Sequence, residues 1–291
     1  MIVQILAVPY DSAHRGVRMG AGPERLLAAG LVRHLEDRGH QIRCTVIEAP
    51  AERWRAEIQT GFQLMHAVAG AVREAREQGR FPLVLSGNCS TAVGTLAGLG
   101  TRDTGVLWFD AHGDFNTPET TIGGFLDGMA LATVTGRCWT ELARGVPGFR
   151  PVAERRVALL GARDIDPIEA GALARLEVSL LPPATVAADL PRCLETLTHR
   201  TEQVYLHVDL DVLDPEAARA NAYAAPGGLT LEQLELAVTT AGRAVAIAAA
   251  TISAYDPALD PDGRTCAAAF RVAAALLAAA EGAQAPGHLR R

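Results

Sequence analysis

Absences narrow this chain before any motif does. The five cysteines, Cys44, Cys89, Cys138, Cys193 and Cys266, are odd in number and show no Cys-x-x-Cys spacing. No disulfide framework is indicated, and free thiols in a reducing cytoplasm are the expected state. No basic cluster interrupts the net charge of −6, which argues against nucleic acid as a main partner. The first nine residues lack the basic flank of a secretory leader and read as a strand. No apolar run looks long enough to cross a bilayer, since Arg243, Arg271 and Glu281 break the alanine-rich segments. Linkers, repeats and low-complexity tracts are also missing. A cytoplasmic protein that meets small molecules, not membranes, is the expectation.

The 291 residues are 49% hydrophobic and 21% charged, enough to bury a large core. Apolar runs read as strands at Ile2 to Val8, Ile42 to Ile47, Pro82 to Leu85 and Val106 to Phe109. Four more follow at Arg156 to Gly161, Val178 to Leu181, Val204 to Val212 and Val245 to Ser253. Helical patterns fall at Pro23 to Arg38, Phe62 to Gln78, Thr91 to Leu99 and from Gly128, then at Pro167 to Leu176, Leu190 to Thr198, from Thr230, and at Thr265 to Ala280. Pro23 and Pro167 suit first helical positions, and Thr230 with Gln233 forms a capping-box pattern. This alternation predicts an α/β fold of three layers, a mainly parallel sheet with helices on both faces. One domain over residues 1–291 is expected, with a disordered tail at 287–291.

Two strand ends carry the chemistry. Val106 to Phe109 runs into Asp110, His112 and Asp114, and in extended chain positions i, i+2 and i+4 share a side. Two carboxylates so close together are costly to bury without a positive partner. A divalent metal is the simplest one, because carboxylate oxygen and neutral imidazole nitrogen both ligate it. The alternative is a polar loop that merely follows a strand. Val204 to Val212 repeats the design, with His207, Asp209 and Asp211 alternating with apolar residues. Two such ends fit a pair of divalent ions held by shared carboxylates.

These segments resemble the ureohydrolases, the family of arginases, agmatinases and formimidoylglutamases. The resemblance runs from Val8-Pro9-Tyr10-Asp11 and Gly20-Ala21-Gly22-Pro23 through Ser86-Gly87-Asn88-Cys89-Ser90 and Asp110-Ala111-His112-Gly113-Asp114-Phe115-Asn116-Thr117-Pro118. It continues through Gly161-Ala162-Arg163-Asp164-Ile165-Asp166 and Asp209-Leu210-Asp211-Val212-Leu213-Asp214-Pro215 to Pro226-Gly227-Gly228. It implies a two-manganese centre and hydrolysis of an amidine or guanidine C–N bond by a metal-bridging hydroxide. Asp110, His112, Asp114, Asp209 and Asp211 match ligand positions by that resemblance, and Asp114 would also hold the hydroxide. Asn116, Asp166 and Glu169 match positions that grip the amino-acid end of the substrate. A homo-oligomer, trimeric or hexameric, is implied as well.

Three positions depart from the family pattern. Asn88-Cys89 stands where Asp-His is usual, so a ligand histidine becomes Cys89. Asp127 stands where a histidine linked to proton transfer is usual. Ala254 stands at the position of the glutamate that grips the guanidinium. The hydroxyarginine-hydrolysing branch, which releases hydroxyurea, looks similar at Cys89, but Ala254 separates this chain from it. A Cys89 thiolate would ligate and shift metal preference from manganese towards zinc or iron; the other reading is a buried thiol beside one weak site. His66 and His199 read as structural or exposed. The remaining cysteines read as small core residues. The expected activity is metal-dependent hydrolysis of a linear C–N bond, against a degenerate member that binds without turnover.

Overall fold

The computed structural model describes residues 1–50, 56–100 and 103–282. Its strands are β1 (Ile2–Val8), β2 (Tyr10–Asp11), β3 (His14–Arg15), β4 (Gln41–Val46), β5 (Phe81–Ser86), β6 (Thr104–Phe109), β7 (Val157–Leu160), β8 (Ser179–Leu181), β9 (Gln203–Asp209) and β10 (Ala246–Ser253). The helices are α1 (Gly22–Ala28), α2 (Leu31–Glu36), α3 (Glu57–Glu77), α4 (Ala92–Leu99), α5 (Ala130–Val134), α6 (Thr140–Gly145), α7 (Pro167–Leu173), α8 (Val186–Thr198), α9 (Leu231–Ala244) and α10 (Arg264–Gly282).

Eight strands form one sheet in the order β4-β1-β5-β10-β9-β6-β7-β8, and all its pairings are parallel. A parallel sheet buried on both faces explains why its strands read as unbroken apolar runs. Side-chain direction still alternates. Leu107 and Phe109 pack with α8, α9 and α10, while Val106 and Trp108 pack against α3, α4 and α5. The result is the expected three-layer α/β architecture.

Several expectations need correction. Pro23 to Arg38 is two helices, because Gly30 takes a left-handed φ of +100° between them. The hairpin of β2 and β3 and the short helix α6 carried no clear sequence signal. Strand β9 stops at Asp209, and Leu210–Val212 is a 3-10 turn. Cys44 is exposed on the edge strand β4, so it is no core residue, and Cys193 is half-buried; Cys138 and Cys266 are buried. His66 and His199 are exposed, in keeping with the sequence reading. Helix α10 is long and apolar enough to cross a membrane by length and composition, contrary to the sequence reading, with 56% of the apolar window buried inside the fold. Arg271 does not interrupt it, because its guanidinium leaves the apolar face and pairs with Glu232 and Glu235. The tail at 287–291 lies outside the described residues.

Strands β5, β10, β9 and β6 are adjacent in the sheet. Their carboxyl ends lead into Asn88-Cys89, Ala254, Asp209 and Asp110 respectively. Crevices at such ends are where open α/β sheets bind ligands.

Candidate metal centre

Asp110 to Asp114 is not extended chain, so simple strand alternation does not bring its side chains together. The segment turns, and Asp114 adopts a left-handed φ of +50°. A non-glycine residue held there is strained and persists only where its surroundings fix it. Glu169, buried at the start of α7, supplies the fixing contact by accepting a 2.6 Å hydrogen bond from the Phe115 backbone N–H. Gly113 is required beside it, since a Cβ there would sit 2.5 Å from the Glu169 carboxyl. Arg163 braces the other half of the site. Among the described residues its guanidinium donates to backbone carbonyls, including those of Asp211 (2.9 Å), Ala225 (2.6 Å) and Leu213 (3.2 Å). The 3-10 turn after β9 is thereby tied to the loop after β7.

Two overlapping ligand groups result. Cys89, Asp110 and Asp209 form one, and Asp110, His112 and Asp211 form the other, each with donor atoms within 4.8 Å of one another. Asp110 belongs to both, as a carboxylate shared by two ions would. His112 Nδ1 lies 3.3 Å from Asp110 and 3.4 Å from Asp211. Burial alone would lower the His112 pKa, but these two carboxylates outweigh it and push it up. Burial would likewise raise Asp211, yet the His112 contact brings it down to about 2. Burial, together with repulsion from neighbouring acids, raises Asp110, Asp114 and Asp209. The cluster thus demands positive charge. Asp114 Oδ2 is buried with no hydrogen-bond partner, an acceptor that such a charge or its water would satisfy. Oxygen, nitrogen and sulfur donors of this kind fit divalent transition ions.

A cavity of about 310 Å³ opens onto the cluster, walled by Asn116, Asp127, Asp166, Glu169, Tyr223 and Ala254 among others. Asn116 Nδ2 donates to Asp166 at 2.9 Å, and Asp166 caps α7 by accepting from the Ile168 and Glu169 N–H groups. Burial lifts Glu169 to about 7 and Asp127 to about 8. The metal, catalytic and substrate-binding candidates named from the sequence therefore lie at one cavity or in the cluster beneath it. Asn221 was missed. It is buried and donates to both Asp211 Oδ2 and the Ala254 carbonyl, each at 3.1 Å. It sits in an Ala-Asn-Ala stretch that offers no signal of this contact.

Asp127 is pinned. The Ser90 N–H donates to one of its oxygens and Asn88 Nδ2 to the other, both at 2.9 Å. Asn88 also reaches Asp11 at 3.4 Å. An aspartate at position 88 would face two buried carboxylates instead of bridging them. Asn88→Asp should therefore lower stability by about 1–3 kcal/mol, the cost of a lost buried hydrogen bond, with repulsion added. Thermal unfolding reads this, and an unchanged midpoint would show that Asn88 is not the bridge.

Comparison with known proteins adds to this geometry. The family model described as the arginase family matches residues 2–279. The chain is 32% identical to the arginase of Bacillus caldovelox over 293 residues, covering 94% of this chain and 97% of that protein. It is 30% identical to the arginase of Brucella melitensis, covering 95% and 96%. Among solved structures, that of arginase from Bacillus cereus superposes with a TM-score of 0.86 at 29% identity, covering 95% of this chain and 98% of the other.

Proposed function

The chain belongs to the arginase family, and from that premise we propose that it hydrolyses a linear amidine- or guanidine-type C–N bond in an amino-acid-derived substrate. It is a hydrolase of non-peptide C–N bonds. The observation that carries the proposal is the convergence of Cys89, Asp110, His112, Asp114, Asp209 and Asp211 beneath one acidic cavity. These residues would hold two divalent ions, manganese first, with zinc or iron favoured by the sulfur. When bound, such ions supply Lewis acidity and lower the pKa of a water.

The side chains then divide the work. Asp114 Oδ2 is free to orient a nucleophilic water. Asp127, its pKa raised by burial, can exchange a proton with the leaving nitrogen. Asn116, Asp166 and Glu169 position an ammonium-bearing far end. Among the described residues, no lysine or arginine lines the cavity, which suits a cationic substrate. The competing reading, a member that binds without turnover, draws on the altered Asp127 and Ala254. A screen of guanidino and amidino compounds with metal-loaded protein separates the two, and two bound metals without any turnover would overturn the hydrolase reading.

Cys89 offers a second check. Cys89→Ser should empty the site it shares with Asp110 and Asp209, and Cys89→His should move preference towards manganese. Elemental analysis after equilibration with mixed metals reads both. Unchanged metal content in both variants would make Cys89 a packing residue. We also propose a trimeric or hexameric assembly, and sedimentation as a monomer at micromolar concentration would reject it.

A further inference from the structure

Behind Cys89 lies a buried polar chain that the ligand set leaves unexplained. Cys89 Sγ is 3.2 Å from Ser253 Oγ, and Ser253 Oγ is 3.1 Å from His207 Nε2. His207 Nδ1 is 2.9 Å from the Tyr205 hydroxyl, which lies 2.7 Å from Thr251 Oγ1. All five residues are buried, and only Cys89 lines the cavity. The His207 ring lies flat on Trp108, with centroids 3.7 Å apart and planes 12° apart. The same indole donates from Nε1 to Asp110 Oδ2 at 3.0 Å. One aromatic plate thus holds Asp110 by a hydrogen bond and steadies the chain that reaches Cys89.

Polar groups inside a parallel sheet are expensive unless they satisfy each other, and apolar residues would pack there at no such cost. Their neighbours on the same strands, Leu206, Val208, Ala250 and Ile252, are apolar. Toward the cavity the chain ends on the Cys89 sulfur. With Tyr205 donating to Thr251 the run accepts a proton from a Cys89 thiol; turned end to end, with Thr251 donating to Tyr205 and His207 Nε2 to Ser253, it donates to a ligating sulfur. We infer that Ser253 and His207 are positioning residues that aim the Cys89 sulfur at a metal ion shared with Asp110 and Asp209; this rests on the reading of Cys89 as a ligand. Ser253 fixes one direction around the sulfur, leaving its remaining lone pairs to face Asp110 and Asp209. Partners that orient ligands in this way commonly contribute to metal affinity nearly as the ligands do.

Cobalt(II) loaded into the full-length protein tests this by its near-ultraviolet thiolate-to-cobalt absorption and by its affinity for each site. Ser253→Ala should weaken or shift that absorption and loosen cobalt at the Cys89 site by about tenfold to a hundredfold. His207→Phe keeps a ring on Trp108 but removes both hydrogen bonds, and should act in the same direction. Ser253→Thr keeps the hydroxyl and should restore the wild-type spectrum. Unchanged absorption and affinity in Ser253→Ala and His207→Phe would overturn the inference while leaving Cys89 as a ligand. A wild-type protein without the absorption, and with cobalt content equal to that of Cys89→Ser, would overturn both. Lower metal-free unfolding midpoints with an unaltered spectrum would mark the pair as structural only and also overturn it.

Discussion

Asp209→Ala should leave a folded protein that has lost most of its metal and nearly all of its turnover. Asp209 anchors the ligand cluster in two ways. Its Oδ1 accepts the Asp211 N–H at 2.8 Å, opening the 3-10 turn that carries Asp211, and its Oδ2 accepts from the Cys89 thiol at 3.0 Å. Burial and the nearby charges of Asp211 and Asp110 raise its pKa, so without metal it is a destabilising group. Removing it relieves that repulsion, which offsets the lost hydrogen bond and the small cavity. The metal-free unfolding midpoint should therefore not fall. Bound metals contribute several kcal/mol of transition-state stabilisation, so the rate should drop on the order of a thousandfold. Elemental analysis, unfolding and steady-state rates check the three parts separately. Full metal content with an ordinary rate would sink the assignment.

Arginine should be a poor substrate, and a bulkier or less basic relative a better one. A delocalised guanidinium calls for a carboxylate partner near its nitrogens. Ala254 provides none, and both oxygens of Asp127 already accept from Ser90 and Asn88, which leaves it to exchange a proton with the substrate rather than to pair with the guanidinium. One missing charge-assisted hydrogen bond costs roughly 1.5–3 kcal/mol, or about tenfold to a hundredfold in rate if felt in the transition state. Phe125 and Tyr223, stacked 5.6 Å apart at the cavity, offer apolar surface to a larger group. Ala254 already occupies a left-handed φ of +64°, so Ala254→Glu adds little new backbone strain. That variant should raise kcat/KM for arginine by the same factor. Assays across arginine, agmatine, hydroxyarginine, guanidino acids and formimidoylglutamate read both claims, and wild-type turnover of arginine at rates unimproved by Ala254→Glu would refute them.

The sheet and its layers were legible because parallel strands buried on both faces must be apolar throughout. Acidic residues following such runs then stand out, which is how Asp110, His112, Asp114, Asp209 and Asp211 could be picked without coordinates. The route by which they meet was not legible. Alternation along extended chain suggested the convergence, but a left-handed Asp114 and a 3-10 turn at Asp211 produce it. Local sequence says little about either, since both are held by distant contacts from Glu169 and Arg163. Asn221 escaped notice for the same reason, and His207 was read only as one more member of an alternating strand. The helix break at Gly30 and the exposure of Cys44 depend on how elements end and which strand lies at an edge. The long alanine-rich run of α10 illustrates the reverse case, where composition resembles a membrane span and burial against the sheet explains it.

The pairing of β6 with β9 sets a kinetic condition on the site. Val106 lies opposite Tyr205 in that ladder, and the Cys89, Asp110 and Asp209 donors are drawn from both sides of it. Closing a loop of about a hundred residues precedes any contact that rewards it, and such non-local pairings fold slowly. During synthesis, a chain that has emerged only through β7 carries Cys89, Asp110 and His112 without Asp209 or Asp211. It holds acids and a thiol but cannot yet enclose an ion between them. Metal capture by the proposed centre would therefore be a late event in the life of the nascent polypeptide, coupled to the docking of β9 between β6 and β10.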